Sequence, residues 1–460
     1  MEDKNLAMAK RVAAAVADAG GKTYYVGGFV RDRLLGRENK DVDIEVHGID
    51  VHTLEGILDG LGKRLTMGAS FGIMGLEHYD LDIAMPRSEV ATGRGHKDFA
   101  VFVDPFIGEE RAARRRDFTI NALMQDVLSE EVLDFFGGRD DLARRCIRHV
   151  DPRTFVEDPL RVFRAAQFAA RFDFEVAPDT VELSSTMDLG ALSRERVMGE
   201  LSKALLKANR PSVFFEELRK MRQLWLWFPE VEALWEVPQD AIHHPEGTVW
   251  NHTMLVVDET ARLLGQATYP LGLMISAVCH DLGKAVTTRE KDGRLHAYGH
   301  EVEGVPIAQA LLRRLTNESR LVRYVCNMVE LHMRPNMLVA NNAKVKSYMR
   351  TFDVSCCPRD LLLLAKADHL GRADEQGRKP LPEEGYGDIE RQLEELLAEY
   401  DRRMAAPHVT GNDLIEAGYE PGPLFSDALA YAHKLRLAGR DKDDQLRQTL
   451  GYLRGLARTR

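Results

Sequence analysis

Long hydrophobic runs are missing from this chain. No apolar stretch approaches the ~20 residues that a membrane-spanning helix requires, so no such helix is expected. The N-terminus has no apolar core followed by a small-residue cleavage site, so no secretory signal is expected and the chain is placed in the cytoplasm. Cysteine is sparse and odd in number: Cys146, Cys279, Cys326, Cys356 and Cys357 are scattered. That excludes a disulfide framework and fits reduced thiols. The adjacent Cys356-Cys357 pair is not a metal-ligand spacing. Internal repeats and long low-complexity segments are absent too. An excess of positive charge is also lacking. The formal net charge is −10, which by itself argues against a nucleic-acid binder. The charge is uneven, however. Arg194 to Arg222 holds eight Lys/Arg against four Glu, and RAARRR (Arg111–Arg116) is denser still. A basic groove on an acidic protein can hold a phosphate backbone, although the plainer reading of such runs is a solvated helix face.

The 460 residues exceed what one hydrophobic core supports, so several domains are expected. An apolar fraction of 44% with 29% charged residues is that of a globular protein. NLAMAKRVAAAVADAGG has helical periodicity and stops at Gly20-Gly21. KTYYVGG reads as a strand entering a glycine turn, FVRDRLLG as a short helix ended by Gly36, and DVDIEV as a strand. SFGIMGLEHYDLDIAMPR reads as a hairpin with strands near Gly72–Leu76 and Asp80–Ala84. Strand signals fade after Pro152, and helical spacing dominates from there on. DEQGRKPLPEEGYGD (Asp374–Asp388) reads as a loop or linker before a helical tail. The fold class is therefore α+β: a mixed sheet with helices first, then all-α regions.

The stretch DVD (Asp41–Asp43) carries the first chemical signal. On a strand, residues i and i+2 share a face, so Asp41 and Asp43 project together. Like charges so close are tolerated when water or a cation sits between them. That suits magnesium, which takes oxygen ligands and bridges to phosphates. Gly27-Gly28 would let backbone amides approach a phosphate, and Arg31 would add a charge-assisted contact. DxD alone is common and often only solvated. The upstream GG-x-x-R-D shifts the reading toward a site.

GGFVRD…DVD resembles the nucleotidyltransferase head shared by class II tRNA CCA-adding enzymes and bacterial poly(A) polymerases, within the DNA polymerase beta superfamily. RRDFTINAL (Arg115–Leu123), DFFGGRDDLARRCIRHV (Asp134–Val150, with Asp134, Gly138, Asp141 and Arg148), EDPLRVFRAAQFAARF (Glu157–Phe172) and RERVMGEL (Arg194–Leu201) are similar, in order, to that family's later motifs. Five ordered motifs are more specific than any one. The resemblance implies that Asp41 and Asp43 hold catalytic Mg2+. It implies that Arg116 and Asp117 help hold the nucleotide and its sugar, and that Asp158 and Arg161 select CTP and ATP without a template. On a helix, Asp158 and Arg161 face the same way and Arg164 continues the stripe. A carboxylate beside a guanidinium can match the Watson–Crick edge of a base. The plainer alternative is a helix start, with Asp158 as cap, Pro159 at the first position and Arg161 as a surface ion pair. Asn121 reads as structural. Asp80 and Asp82 read at least as well as solvated strand residues, so Asp82 is left outside the catalytic set. In the family, a flexible element in the long loop Ser88–Glu110 is linked to the switch from C to A addition, so its presence disfavours CC-only addition.

Further on, His252, the His280-Asp281 pair and Asp368 have the identity and order of an HD-type phosphohydrolase. Neutral imidazoles with carboxylates suit a second divalent metal of unspecified identity. His300 and His332 would be extra ligands or phosphate contacts, and Lys284 a phosphate contact. In similar bacterial enzymes such a domain hydrolyses cyclic phosphates and 2′-phosphates. The expected organisation is a head over 1–150, a helical neck and body over 151–240, an HD domain over 241–372, and a linker with helical tail over 373–460. The expected activity is template-independent addition of CCA to tRNA 3′ ends, with tRNA, CTP and ATP as partners. A-only, CC-only and poly(A) addition remain open, as does an HD phosphohydrolase whose head merely binds nucleotide.

Overall fold

The computed structural model describes residues 4–39, 41–67, 73–91, 99–372 and 385–458. The chain folds into two compact units, Met1–Leu226 and Trp227–Arg460. Residues 151–226 thus belong with the head, and 227–240 with the region that follows.

As far as Leu133, the described residues of the first unit supply nine strands: β1 (Lys22–Val26), β2 (Val42–His47), β3 (Arg64–Met67), β4 (Ile73–Leu76), β5 (Leu81–Ala84), β6 (Arg87–Ala91), β7 (Phe99–Val103), β8 (Met124–Asp126) and β9 (Val132–Leu133). Seven of them form one sheet in the order β3-β4-β5-β2-β1-β8-β9. β1 runs antiparallel to β2 and β8, whereas β2 and β5 are parallel. β4 and β5 are the expected hairpin pair, with Ile73 opposite Ala84. Gly72, at the edge of that expectation, lies outside the described residues. The parallel pairing sets Asp43 opposite Asp82, so their side chains leave the sheet on the same face.

The segment Ser88–Glu110 departs from a plain loop. β6 and β7 pair antiparallel from Arg87↔Val103 to Ala91↔Phe99, and a helix opens at Glu109. FAVFV is rich in the β-branched and aromatic residues that favour strands. Residues 92–98 of this segment lie outside the described residues. Most of the linker expected at Asp374–Asp388 does too, and its last two residues, Gly387 and Asp388, open a helix that runs to Ala405.

Helix Leu160–Phe172 is the spine of the rest of this unit. Phe163, Phe168 and Phe172 are buried along it. Each buried phenyl ring contributes about 1.5–3 kcal/mol. The helix packs against Arg194–Lys207 and Ser212–Lys220.

Among its described residues, the second unit is helical apart from a small antiparallel hairpin of Arg289–Lys291 with Arg294–His296. Its centre is helix Val249–Leu263, capped by the Thr248 side chain and buried on most sides. Such a helix belongs inside a helical core. It packs against Pro270–Cys279 and Pro358–Leu370, while His300–Leu315 packs against Ser319–Leu331. Toward the C-terminus, Leu393 and Leu397 join Tyr348, Met349 and Phe352 in one apolar cluster. Helices Pro423–Leu437 and Lys442–Arg458 bury Ala428, Ala432 and Leu453 in another.

Candidate active sites

In the first unit, Asp43, Glu45, Asp82, Arg87, Arg115, Arg116 and Arg161 line one cavity of about 420 Å³. Acidic groups on the β2–β5 pair thus share a space with guanidiniums. Burial and the neighbouring Asp82 charge push the Asp43 carboxyl up to about 6, against the pull of Arg116. A cation would relieve that repulsion, and an oxygen-only donor set suits a hard ion such as magnesium. Asp82, set aside in the sequence reading, is exposed and lines the same cavity as Asp43. Sheet order puts it there, and sheet order is not visible locally in the chain.

Asp41 corrects one expectation. β2 begins at Val42, so Asp41 stands just before the strand, exposed, donating its backbone N–H to Asn39 Oδ1 at 3.0 Å. Strand alternation is not what aims it. Gly27 has φ of +64°, a conformation that favours glycine, and a Cβ there would lie 3.1 Å from Arg116 Nη1. Gly28 begins the short helix that carries Arg31.

Arg31 is also placed differently from the sequence reading. It is 4% exposed, with Nε donating to Asp32 Oδ1 at 2.8 Å and Nη1 to Asn121 Oδ1 at 2.7 Å. Its guanidinium lies over Phe172 at 4.5 Å. Burial lowers its pKa, opposed by Asp32. Asn121 passes the contact on, donating from Nδ2 to Asp117 Oδ1 at 3.0 Å. Asp117 also accepts from Arg164 Nε at 2.7 Å. Burial would raise the Asp117 carboxyl, but Arg164 and Asn121 outweigh it and hold it low. Arg31, Asn121 and Asp117 thus form a continuous buried polar chain that ends on the partly exposed Arg164, and the part of Asn121 in it is structural.

Asp158 and Arg161 do not share a helix face. The helix starts at Leu160, after Pro159, and Asp158 accepts the Leu160 N–H at 3.1 Å. Its carboxylate pairs with Arg196 Nη2 at 2.8 Å. Arg161 donates to the Thr154 carbonyl at 2.6 Å and the Arg115 carbonyl at 2.8 Å. The helix-start alternative describes Asp158 better, with Pro159 one step earlier than expected. Asp134 accepts from the Gly138 and Arg139 N–H groups at 2.8 and 3.0 Å, and Asp141 from Thr119 Oγ1 at 2.7 Å. That motif braces the turn next to RRDFT. Within the basic stretch Arg194–Arg222, Arg196, Lys203 and Lys220 pair with Asp158, Glu200 and Glu217.

The second unit holds a tighter cluster. Asp281 is surrounded by four imidazoles. His280 Nε2 and His300 Nε2 lie 3.3 Å from its oxygens, His332 Nε2 3.7 Å and His252 Nε2 3.8 Å. His252 Nε2 also meets Asp368 Oδ1 at 3.0 Å. Three of the rings are aimed from behind, their Nδ1 atoms 2.7–2.8 Å from the carbonyls of Ala277, Ala297 and Val329. With Nδ1 donating, each Nε2 keeps its lone pair free for a metal. His252 is the exception, since its Nδ1 faces Glu246 Oε1 at 2.9 Å. Glu246 also meets His244 Nδ1 at 2.9 Å and is held low by these two histidines against the effect of burial. Sequence reading missed Glu246; the carboxylate among the histidines of HHPEG was the available signal.

Burial, followed by the neighbouring histidines, lowers His332 to about 3, so that ring is neutral and competent as a ligand. His280, Lys284 and His300 overcome burial and hold Asp281 well below the carboxylate range. Two ligand triads share Asp281, one with His252 and His280 and the other with His300 and His332. Among the described residues, every such triad lies in this unit. The mixed imidazole and carboxylate set fits a divalent transition metal. Lys284 Nζ reaches Asp281 at 2.6 Å. Between them, Gly283 is pressed so close that a Cβ would lie 2.0 Å from the His300 carbonyl oxygen.

Residues 23–148 match the family described as "Poly A polymerase head domain", and residues 249–373 match "HD domain". The multifunctional CCA protein of Actinobacillus pleuropneumoniae is 38% identical over 367 residues, covering 77% of this chain and 87% of that protein. The chain belongs to the multifunctional CCA protein family. The member from Alkalilimnicola ehrlichii is 35% identical over 433 residues, covering 92% of this chain and 98% of its own. In fold, the chain resembles the Bacillus stearothermophilus CCA-adding enzyme in complex with CTP, with a TM-score of 0.67 at 20% identity over 100% of both chains. It also resembles the Thermotoga maritima CCA-adding enzyme complexed with tRNA, with a TM-score of 0.63 at 19% identity over 98% and 96% of the two chains. The expected family and the α+β class with a nucleotidyltransferase head therefore hold. As a multifunctional CCA protein, this is a CCA-adding enzyme carrying an HD domain. Among the described residues, no helix is long and apolar enough to cross a membrane.

Proposed function

We propose that this protein rebuilds tRNA 3′ ends by template-independent addition of CCA, working in the cytoplasm with CTP and ATP. The observation that carries the reading is the Asp43–Asp82 pair facing Arg116 within one cavity. In the reaction the tRNA 3′-hydroxyl oxygen bonds to the α-phosphorus of the nucleotide, the bond to the β-phosphate bridging oxygen breaks, and pyrophosphate leaves. The hydroxyl proton is lost to solvent. Asp41, Asp43 and Asp82 would hold Mg2+, which supplies charge neutralisation for the triphosphate. Arg116 and the backbone at Gly27-Gly28 would face the phosphates, and Arg161, on that cavity, and Asp158, paired with Arg196, would select the base. Arg31, Asn121, Asp117 and Arg164 keep that wall in place. Most of the rate comes from positioning and preset electrostatics.

The Asp281 cluster supports a second activity, metal-dependent hydrolysis of phosphate esters on RNA ends. Water is added across one P–O bond, its hydroxyl going to phosphorus and its proton to the released sugar oxygen. His252, His280, His300, His332, Asp281 and Asp368 would hold the metal, which lowers the pKa of a bound water. Lys284 would contact the phosphate.

The deciding experiment incubates the protein with tRNA lacking its last three nucleotides, Mg2+, CTP and ATP, and sequences the product ends. CCA with a stop there is expected. CC alone, A alone on a CC-ended tRNA, or a run of A would each replace full CCA addition with a narrower activity. No addition, with phosphate esters still hydrolysed, would make the HD domain the working enzyme.

A further inference from the structure

The cavity in front of the HD cluster is about 480 Å³, and its floor and rim differ in chemistry. The floor carries Asp281, His300, Asp368, Lys284 and Arg372, which is metal and phosphate chemistry. The rim carries flat and apolar side chains left open to solvent. Tyr298 is 76% exposed and Met337 50% exposed, and both line the cavity. The Tyr298 ring is stacked on His296, with centroids 5.0 Å apart and planes 10° from parallel. A single exposed aromatic needs no explanation. A stacked pair standing at the mouth of a phosphate-binding cavity calls for one.

The pair is anchored at both ends. His296 ends the hairpin Arg289–His296, whose Arg294 Nε is tied to Asp240 Oδ2 at 3.0 Å. Asp240 lines the same cavity. Next comes Ala297, whose carbonyl accepts from His300 Nδ1 at 2.8 Å. One short turn therefore both aims a metal ligand and presents a free aromatic face, fixing the distance between the two. A bare phosphate has no use for that face. A nucleotide has, because every base offers a π-surface that stacks on an aromatic ring regardless of sequence.

We propose that Tyr298, backed by His296 in the cavity that Met337 also lines, is the platform for the base of the terminal nucleotide whose phosphate enters the HD cluster. A stacked ring reads no base edge, so the platform takes all four bases with little preference among them. The inference rests on the phosphoesterase reading of that cluster.

The test compares full-length wild type, Tyr298→Ala and Tyr298→Phe, with Mn2+ added, on 2′,3′-cyclic AMP and on glycerol 2-phosphate, which has no base. Tyr298 is exposed, so folding is not at stake. Tyr298→Ala is expected to raise KM for the cyclic nucleotide about tenfold, the size expected for one base–aromatic stack. Its kcat and its action on glycerol 2-phosphate should stay within about twofold, and Tyr298→Phe should behave as wild type. Equal losses on both substrates, a loss shared by Tyr298→Phe, or no loss on the nucleotide would overturn the platform. If wild type hydrolyses neither substrate, the phosphoesterase reading has failed on its own. Calorimetric binding of adenosine 2′-monophosphate then decides the platform. About tenfold weaker binding by Tyr298→Ala keeps it, and unchanged binding removes it.

Discussion

Around Asp281, four imidazoles and a lysine meet one carboxylate, and three of the rings are aimed by backbone carbonyls. Around Asp43, the residue opposite on the neighbouring strand is another carboxylate, and two arginines that line the cleft are already engaged, Arg116 by Glu45 and Arg161 by backbone carbonyls. One site is assembled before any ligand arrives. The other holds mutually repelling charges that need a cation to complete them. Burial therefore has opposite outcomes. Asp281 is held well below the carboxylate range, whereas Asp43 is pushed up to about 6. A resident metal suits the first arrangement, and an ion that arrives and leaves with a nucleotide suits the second.

The sharpest way to break this comparison is to disable one site and measure both. Asp43→Asn should lower nucleotide addition by on the order of a thousandfold and leave phosphoester hydrolysis unchanged. Loss of both activities in one assay series would show that the sites are not separable. Gly283→Ala should do the reverse. An added methyl group overlaps the His300 carbonyl, moves the helix that carries His300, and should cut hydrolysis by about a hundredfold or more while addition persists. Metal content of the purified variant, read by mass spectrometry, should fall with it.

A smaller effect is expected at Glu246. Glu246→Gln keeps the shape but removes the charge behind His252, so metal affinity should drop about 10–100-fold without unfolding. A chelator titration that gives identical midpoints for variant and wild type would sink this role. The smallest effect is on stability. Asp43 has a raised pKa in the fold, so its contribution is full below pH 4 and is lost as the pH rises through about 6. Metal-free Asp43→Asn should then be more stable than wild type at pH 7 by about 1–2 kcal/mol, and no more stable at pH 4. Saturating Mg2+ should close the gap by stabilising wild type alone. Thermal melts at the two pH values, with and without Mg2+, check the sign.

Much of the fold was legible because local patterns and tertiary structure agree. Lys22–Val26 into Gly27, the short helix after it and the strand after Asp41 fall where alternation and glycine placed them. The histidines of the HD cluster were legible because each lies in a helix or at its end, where spacing survives folding. What escaped depends on partners distant in sequence. Asp82 joins Asp43 only because β5 is laid beside β2. Arg31 turns inward because Asn121 and Phe172, from two other segments, meet its guanidinium. Asp158 finds Arg196 rather than Arg161 because proline delays the helix by one residue. The β6–β7 ribbon stands apart from the main sheet, so no neighbouring strand pattern announced it.

Gly283 carries one more consequence. Every glycine codon lies a single base change from an alanine codon, and here alanine would place a carbon atom where the His300 carbonyl already sits. The damage would be confined to the HD cluster, since addition is carried by residues of the other unit. The hydrolysis proposed for this cluster can therefore be shed in one mutational step while nucleotide addition to tRNA is kept. The overlap is with backbone atoms, which a side-chain change elsewhere does not remove, so this arrangement is easily lost and narrowly recovered.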